Sequence, residues 1–213
     1  MRVKKPKKPK QYTCKYRPCS KKFVREREGQ EVCSVECGLA KAKIEVQKAT
    51  KKEDARLKRE FYDQNKTLTK WLDDLQNVIN TIVRLIDFKQ PCIATGAITG
   101  KKNAGHFYAK NAVPSIRFNL HNLHLQSEHS NKWKRGDAQR YKEGLIHVYG
   151  QEYWQWVEAL NSIPDQEWTV DQVKDKISVA KKIVKELKPI ERVYSTTERI
   201  SLRDKYNLEL GFN

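Results

Sequence analysis

Four of the five histidines in this sequence fall in one window, residues 103–135, which also holds several asparagines. Hydrolysis of a phosphodiester at neutral pH needs a base that activates water. It also needs a hard cation that stabilises charge on the phosphorus and on the leaving oxygen. A neutral imidazole can act as the base, and amide or imidazole groups can hold the cation. The window therefore predicts a site for phosphodiester hydrolysis.

Two residues of this window fit the base and the ligand best. His106 follows Gly105 at the end of a β-prone run, and Asn131 lies near the start of a helical stretch. We interpret His106 as the general base and Asn131 as a ligand of Mg²⁺ or Mn²⁺ through its side-chain oxygen. The alternatives are a core or surface histidine at 106 and an N-cap or surface amide at 131.

Supporting roles are expected for further polar residues of the window. Asn122 would orient the loop at His106 by hydrogen bonding, or would otherwise be a plain turn residue. His124 and His129 are competing candidates for a second metal ligand or a phosphate contact. His121 is expected to be an ordinary polar residue at the surface.

Basic side chains flank the same window. Lys132, Lys134 and Arg135 follow Asn131 closely, and Arg117 lies in the second of two predicted strands. Together they would hold the scissile phosphate or its neighbour, a role for which a single exposed lysine would be weak support.

Four cysteines near the N-terminus form a C-x4-C and a C-x3-C pair: Cys14, Cys19, Cys33 and Cys37. Four thiolates can surround Zn²⁺ tetrahedrally, and a module this short needs such a cross-link to fold. We expect a structural zinc without catalytic function, because a closed shell of four sulfurs leaves no open position; the alternative is unligated cysteines. The module would present basic residues to phosphates, namely Lys15, Arg17, Lys21, Lys22 and Arg25.

The charge of the chain favours a polyanionic partner. The formal net charge is +17, from 43 lysines and arginines against 26 acidic residues, and the excess runs along the whole sequence. Each neutralised phosphate of a nucleic acid releases condensed counterions, so DNA or RNA is the partner that this balance favours. A solvated basic surface and an anionic membrane face are the alternatives.

Targeting and membrane signals are absent from the sequence. No apolar run approaches the roughly 20 residues of a membrane span. The segment MRVKKPKKPK is basic but has no apolar region of the kind that a secretory signal contains. We therefore expect a cytoplasmic protein that does not engage a membrane. Its five cysteines would bind metal in preference to forming disulfides.

The chain divides by composition into five segments. Residues 1–11 form a Lys/Pro arm expected to be disordered, 12–38 the four-cysteine zinc-knuckle module, and 39–66 a basic connector interpreted as an exposed helix or a charged linker. Residues 67–190 form the main core, and 191–213 are expected to be a loosely held polar tail.

Helical periodicity dominates the main core. Apolar residues recur from Leu68 to Phe88, after a capping Thr67, and a capping box at 169–172 starts a helix that ends near Leu187. Two more helices are expected at 137–149 and 153–160, on either side of Gly150. Short strands are expected around residues 106–108 and 115–118.

The segment from 91 to about 136 resembles the lambda NinG (Rap) recombination endonuclease family, within the wider HNH superfamily. The motifs that carry the resemblance are P-C-I-x-x-G at 91–96, A-G-H-F at 104–107, R-F-N at 117–119, N-L-H at 122–124 and Q-x-x-x-x-N at 126–131. The layout of an N-terminal cysteine module, with C-S-x-E-C-G at 33–38, and a basic helix is similar too.

This resemblance implies a mainly α fold with a small ββα-metal core of HNH type. It implies a phage- or prophage-encoded endonuclease of the bacterial cytoplasm. The enzyme would cut branched DNA such as D-loops or Holliday-type junctions during phage recombination. A second copy of the chain and a phage or host recombinase are further candidate partners.

The sequence departs from the family pattern at a second zinc site. Family members typically carry two C-x2-C pairs around the ββα core. Here the first pair keeps only Cys92, with Thr95 at its second position, and the other pair is replaced by Ser127 and Ser130. One thiol with three hydroxyls is a poor zinc site. We therefore expect packing and hydrogen bonds in place of that zinc.

Three other functions stay open from the sequence. A non-catalytic DNA-binding recombination factor would keep the charge without the chemistry, and an RNA-associated zinc protein would also fit the charge and the cysteines. A restriction-type or homing HNH nuclease is the third.

The aromatic residues near the C-terminal side of the main core could stack on bases, but core packing is the favoured interpretation. The set comprises Tyr149, Tyr153, Trp154, Trp156 and Trp168. Tyr153, Trp156 and Val157 have the i, i+3, i+4 spacing of a buried helix face.

Overall fold

The computed structural model describes residues 9–133, 138–190 and 192–212, without the side chains of residues 132 and 133. The chain divides into two compact units, Met1–Lys66 and Thr67–Asn213. Most of the predicted N-terminal arm lies outside the described residues. Among those residues no helix has the length and apolar character needed to cross a membrane.

The N-terminal unit is a short hairpin followed by one long helix. Strands β1 (Gln11–Thr13) and β2 (Lys22–Val24) pair antiparallel, with Tyr12 opposite Phe23. Helix α1 (Val35–Gln64) begins after Ser34, whose side-chain oxygen accepts a hydrogen bond from the Cys37 amide. A hydroxyl in this position satisfies an amide that the helix itself cannot pair.

Helix α1 confirms the exposed basic helix expected for this stretch. It has 30 residues, and none of them is buried. It begins before residue 38, so that Cys37 lies in its first turn. The cysteine module and the connector therefore share one helix, which corrects the boundary placed between them.

Within its described residues, the C-terminal unit contains five further helices of ordinary length, one short helix and a second hairpin. The order is α2 (Leu68–Ile86), β3 (Lys102–His106), β4 (Leu123–Ser127), α3 (Glu128–Trp133), α4 (Ala138–Tyr149), α5 (Gln151–Ala159), α6 (Val170–Leu187) and α7 (Thr196–Leu210). The described residues are thus mainly helical with two small two-stranded sheets, in agreement with the predicted fold class at this level.

Helices α2 and α6 form the centre of the larger apolar core. The buried positions of α2 repeat at helical spacing, and Thr67 caps its first turn as predicted. Helix α6 begins with the predicted capping box, in which Thr169 and Gln172 satisfy each other's backbone amides. The two helices pack against each other, and β3 and β4 lie against α2.

The second predicted strand is wrong in position. Residues Pro114–Ile116 form a single 3-10 turn, and the second strand is β4 at Leu123–Ser127. Pro114 fixes its own backbone near helical values and lacks an amide hydrogen for a strand ladder. The Ile116 carbonyl accepts instead from the Asn119 amide and the Asn122 side chain.

The predicted polar tail is also wrong. Residues 196–210 form α7, which starts with a capping box between Ser195 and Glu198. Its inner face includes Arg203, which is fully buried and donates to both carboxylate oxygens of Asp87 at 2.8 Å. Tyr206 joins the apolar core. The segment is polar in sequence because its buried anchor is a charged residue, paired with a carboxylate at the end of α2.

Candidate active site

The central window folds as strand, strand and helix. Strands β3 and β4 pair antiparallel, with Gly105 opposite His124 and His106 opposite Leu123. Helix α3 follows β4 directly and packs on both strands. A Cβ atom at Gly105 would lie 2.9 Å from the Gln126 Cβ, which cannot swing away as a side-chain end can, so glycine fits best before His106. This order places His106 at the end of the first strand.

His106 is partly exposed, and one of its ring nitrogens is engaged in a hydrogen bond. Its Nε2 lies 2.9 Å from the carbonyl oxygen of Arg117. A carbonyl can only accept, so Nε2 carries the proton and Nδ1 is left with a free lone pair. Burial lowers the pKa of His106 to about 4, aided by the charges of Arg117 and Lys110. The imidazole is therefore neutral at pH 7.

Asn122 holds the segment that follows His106. It is fully buried, and its side-chain oxygen accepts from the Tyr108 amide at 2.8 Å. Its amide nitrogen donates to the carbonyls of Tyr108 and Ile116 at 3.0 and 3.2 Å. All three bonds join Asn122 to the backbone between β3 and β4. This geometry suits an orienting role and leaves no part of the side chain for substrate.

The remaining candidates for the catalytic ion lie on α3. Asn131 is partly buried and His129 is exposed, so both side chains are accessible from solvent. The predicted phosphate contacts Lys134 and Arg135, and the side chain of Lys132, lie outside the described residues.

His124 and His121 are held in the interior by tyrosines. The His124 ring is 1% exposed, and its two nitrogens lie 3.1 and 3.4 Å from the hydroxyls of Tyr141 and Tyr153. Burial, with the charge of Arg203, keeps its pKa well below the usual value. This setting favours a packing role over the metal or phosphate role predicted for His124.

His121 corrects the prediction of a surface residue. It is buried, and its ring nitrogens contact the Tyr153 hydroxyl and an Asp204 carboxylate oxygen, each at 3.0 Å. Burial lowers its pKa to about 3. The ring therefore stays neutral despite the carboxylate beside it.

Arg117 does not lie on a strand, and its guanidinium already has protein partners. It contacts Asp73 of α2 at 2.8 Å, and Gln76 at 3.2 Å. Lys110 lies 3.5 Å from the same Asp73 carboxylate. Asp73 thus joins two cations next to His106. Neither Asp73 nor Lys110 was predicted from the sequence. The sequence of α2 does not show which side chains from distant parts of the chain contact its polar face.

The four N-terminal cysteines come together as predicted. Their sulfur atoms lie within 4.8 Å of one another, with Cys19 and Cys33 at 3.5 Å and Cys33 and Cys37 at 3.7 Å. Sulfurs at tetrahedral positions about 2.3 Å from a zinc ion are separated by about 3.8 Å. The geometry therefore fits a four-thiolate zinc site. Among the described residues, no other group of three or more His, Cys, Asp or Glu side chains is arranged to hold a metal.

The basic residues of this unit differ in their freedom to bind phosphate. Lys15 pairs with Glu31, and Arg25 stacks on the Tyr12 ring with its guanidinium carbon 3.8 Å from the centroid. Four of the predicted contacts are exposed, namely Arg17, Lys21, Lys22 and the paired Lys15, whereas Arg25 is partly buried.

The four positions of the substituted zinc site also lie together, although they are not four thiols. The Ser127 amide donates to the Cys92 sulfur at 3.1 Å, and the Ser130 amide donates to the Ser127 hydroxyl at 3.2 Å. Burial opposes ionisation of Cys92, but hydrogen bonds from Thr95 and Ser127 outweigh it and lower the thiol pKa. Hydrogen bonds connect these positions, as expected from the sequence.

The aromatic cluster is mostly interior. Trp154 and Tyr153 are 3% and 9% exposed, whereas Trp156 is 44% exposed. The core interpretation holds for the first two and is wrong for Trp156. Its ring lies perpendicular to the His121 ring, with the centroids 4.5 Å apart.

Comparison with known proteins decides the family. The family described as Bacteriophage Lambda NinG protein matches residues 6–191. The chain belongs to the NinG family. This confirms the family part of the resemblance seen in the sequence.

Several phage proteins are similar to this NinG family member. Protein ninG of Escherichia phage lambda is 29% identical over 185 residues, which cover 78% of this chain and 88% of the relative. Protein ninG of Enterobacteria phage H19B is 31% identical over 105 residues, 49% of this chain and 51% of the relative. Protein ninG of Salmonella phage P22 is 29% identical over 109 residues, with the same coverage. No solved structure matches the chain.

Proposed function

We propose that this NinG family member is a metal-dependent endonuclease of the HNH type, with His106 as the general base. Its substrate would be branched DNA, such as a D-loop or a Holliday-type junction, in phage recombination. Zinc would be held by the four N-terminal cysteines with a structural role only. The net charge of +17 supports a nucleic-acid partner.

The observation that carries the proposal is the hydrogen bond between His106 and the Arg117 carbonyl. It fixes the proton on Nε2 and leaves Nδ1 as the basic atom. Because the pKa of His106 is about 4, the base is unprotonated throughout the neutral range. It is also weak, so it needs a water whose own pKa has been lowered.

A single Mg²⁺ or Mn²⁺ ion would supply that Lewis-acid chemistry. Such ions need only one or two protein ligands, because water and phosphate oxygens complete the shell. On α3, Asn131 offers an amide oxygen and His129 an exposed imidazole. This sparse set fits an ion that arrives with its substrate. Asn122 would keep the His106 loop in place, and Lys132, Lys134 and Arg135 would contact phosphate.

The test compares the wild-type protein with His106→Ala on a labelled four-way junction and on a linear duplex. Magnesium or manganese is added in one series and omitted in the other. We expect metal-dependent cutting of the junction by the wild type. Loss of a general base should lower the rate by roughly 10²- to 10⁴-fold while junction binding is retained.

A pair of asparagine variants tests the metal position. Asn131→Ala should raise the metal concentration needed for half-maximal cutting, whereas Asn77→Ala, on the exposed face of α2, should leave it unchanged. Tight junction binding without cutting under any metal would sink the nuclease proposal. The protein would then be a DNA-binding recombination factor. Preference for structured RNA over the junction at matched salt would instead favour an RNA-associated protein.

A further inference from the structure

A cavity of about 650 Å³ opens on the C-terminal unit, and it shares no residue with the site around His106. Its walls are the loop at 90–96, one face of α4 and the first turn of α7. This volume falls within the range of small-molecule sites.

The wall formed by α4 is a stripe of polar residues at helical spacing. Arg140, Glu143 and His147 line the cavity, with Gly144 between them. A Cβ atom at Gly144 would lie 1.7 Å from the Ile93 carbonyl oxygen. Only glycine therefore lets α4 approach the loop at Ile93 this closely.

Arg199 of α7 lines the opposite wall and is only 5% exposed. Its two terminal nitrogens donate to the Tyr149 hydroxyl at 2.9 Å and to the Thr196 hydroxyl at 3.3 Å. Its Nε is buried and has no hydrogen-bond partner within the described parts of the chain. A buried donor without an acceptor is unfavourable unless a ligand completes it.

Arg199 also belongs to a buried cluster with an excess of positive charge. The Asp87 carboxylate is already bound by Arg203 at 2.8 Å and by the Leu125 amide at 3.0 Å. Arg199 reaches it only at 3.7 Å. Burial raises the pKa of Tyr149 to about 12, so its hydroxyl does not compensate. Two buried guanidinium groups thus share one carboxylate, and uncompensated buried charge is costly.

We propose that this cavity binds a phosphate group, with Arg199 as the buried anchor and Arg140 and His147 at the mouth. A guanidinium presents paired donors that match phosphate oxygens. Glu143 is the one acidic side chain among the residues lining the cavity, and it accepts from Gln139 at 2.8 Å. The source of the phosphate would be either the DNA backbone or a free nucleotide or phosphate ion. The inference goes beyond the proposed cleavage and does not depend on it.

Calorimetric titration of the zinc-loaded full chain with inorganic phosphate tests the site. Chloride at equal ionic strength is the reference, and no magnesium or manganese is added, so that cleavage plays no part. We expect saturable binding to the wild type. Arg199→Lys, which keeps the charge but loses the fork, should weaken it by roughly tenfold or more.

A second variant keeps the test valid if Arg199→Lys does not fold. Arg140→Gln alters the exposed mouth and should weaken phosphate binding about threefold, while the exposed Arg84→Gln on α2 should not change it. Absence of phosphate binding to folded wild type overturns the proposal. So does binding that Arg140→Gln and Arg84→Gln affect equally.

Junction-DNA affinity of the same variants separates the two sources. If Arg140→Gln weakens both phosphate and DNA binding relative to Arg84→Gln, the cavity takes a DNA phosphate. If it weakens phosphate binding alone, the cavity takes a free phosphate or nucleotide. Either result supports the site, and neither depends on whether His106 cuts DNA.

Discussion

The two units stabilise their short hairpins by different means. Among residues 9–66, Cys14 is the single buried hydrophobic residue, and the four sulfur atoms lie where a zinc ion would join them. In the C-terminal unit, β3 and β4 rest on an apolar core and on the buried pair of Arg203 and Asp87. A chain segment too short to bury a core needs ligand atoms, whereas a larger one can use packing.

The substituted zinc positions make this contrast sharper. Of the four positions, Cys92 belongs to an apolar core cluster and Ser130 is buried, whereas Ser127 is partly buried and Thr95 is exposed. Hydrogen bonds hold them together without four thiols. The N-terminal cysteines have no comparable support, so their thiols are expected to be indispensable.

Loss of zinc should have the largest effect, and it should be confined to the N-terminal unit. Zinc contributes on the order of 10 kcal/mol to the folding of such modules. We expect Cys33→Ser to abolish stoichiometric zinc and to remove amide protection in residues 11–34, as measured by metal analysis and hydrogen exchange. Cys92→Ser is the matched control and should keep the zinc. Equal zinc loss in both variants would contradict the contrast.

Breaking the buried ion pair should be the next largest effect, this time in the C-terminal unit. Arg203→Met leaves the Asp87 carboxylate buried without its main partner, which costs about 3–5 kcal/mol in the free energy of unfolding. Urea unfolding would measure it. Lys205→Ala breaks an ion pair with Glu186 in which both side chains are half-exposed, and it should cost less than about 1 kcal/mol. Similar losses for both would show that the buried pair is not the anchor.

Two helical glycines should respond differently to replacement by alanine. At Gly144 an added Cβ would meet the Ile93 carbonyl at 1.7 Å, so Gly144→Ala must displace backbone and cost roughly 1–3 kcal/mol. At Gly38 in α1 the nearest atom would be a Val32 methyl at 3.5 Å. Gly38→Ala should therefore be neutral, or stabilising by up to about 1 kcal/mol. Thermal melts of both variants decide; destabilisation at Gly38 would mean that α1 is less open than its exposure indicates.

Acid sensitivity should be the smallest effect, and His106 should account for part of it, beside the buried His121 and His124, whose pKa values are also lowered. The folded state holds its pKa at about 4, below the ordinary histidine value of 6.5. Between these pH values the unfolded chain binds a proton that the folded chain does not, so stability falls as the pH drops from 6.5 toward 4. The slope for one proton is at most about 1.4 kcal/mol per pH unit. Urea unfolding from about pH 7.5 to about pH 5.5 should show that the free energy of unfolding changes less steeply with pH in His106→Gln than in the wild type. Equal slopes would contradict the assignment to His106.

Local sequence signals predicted α1, α2 and α4 to α6, but they missed α7. The amphipathic repeat of α2, the capping box of α6, the break at Gly150 and the exposure of α1 all follow from patterns within a few turns. The approach of the four cysteines also followed, because their spacing is short. The prediction of the second strand was wrong. Residues 115–118 have a strand-like composition, but they follow Pro114, which starts a 3-10 turn.

Long-range contacts decided the rest. The sequence by itself determined the family, the charge, the cysteine cluster and the placing of His106 at the end of a strand. Only the tertiary structure assigned His121 and His124 to the interior, paired Arg117 with Asp73 and turned the predicted tail into a core helix around Arg203. The physical reason is that the type of a polar residue does not by itself determine whether its side chain is buried or exposed. Whether it faces solvent, a partner or a ligand depends on groups that can be more than a hundred residues away, as Asp87 is from Arg203.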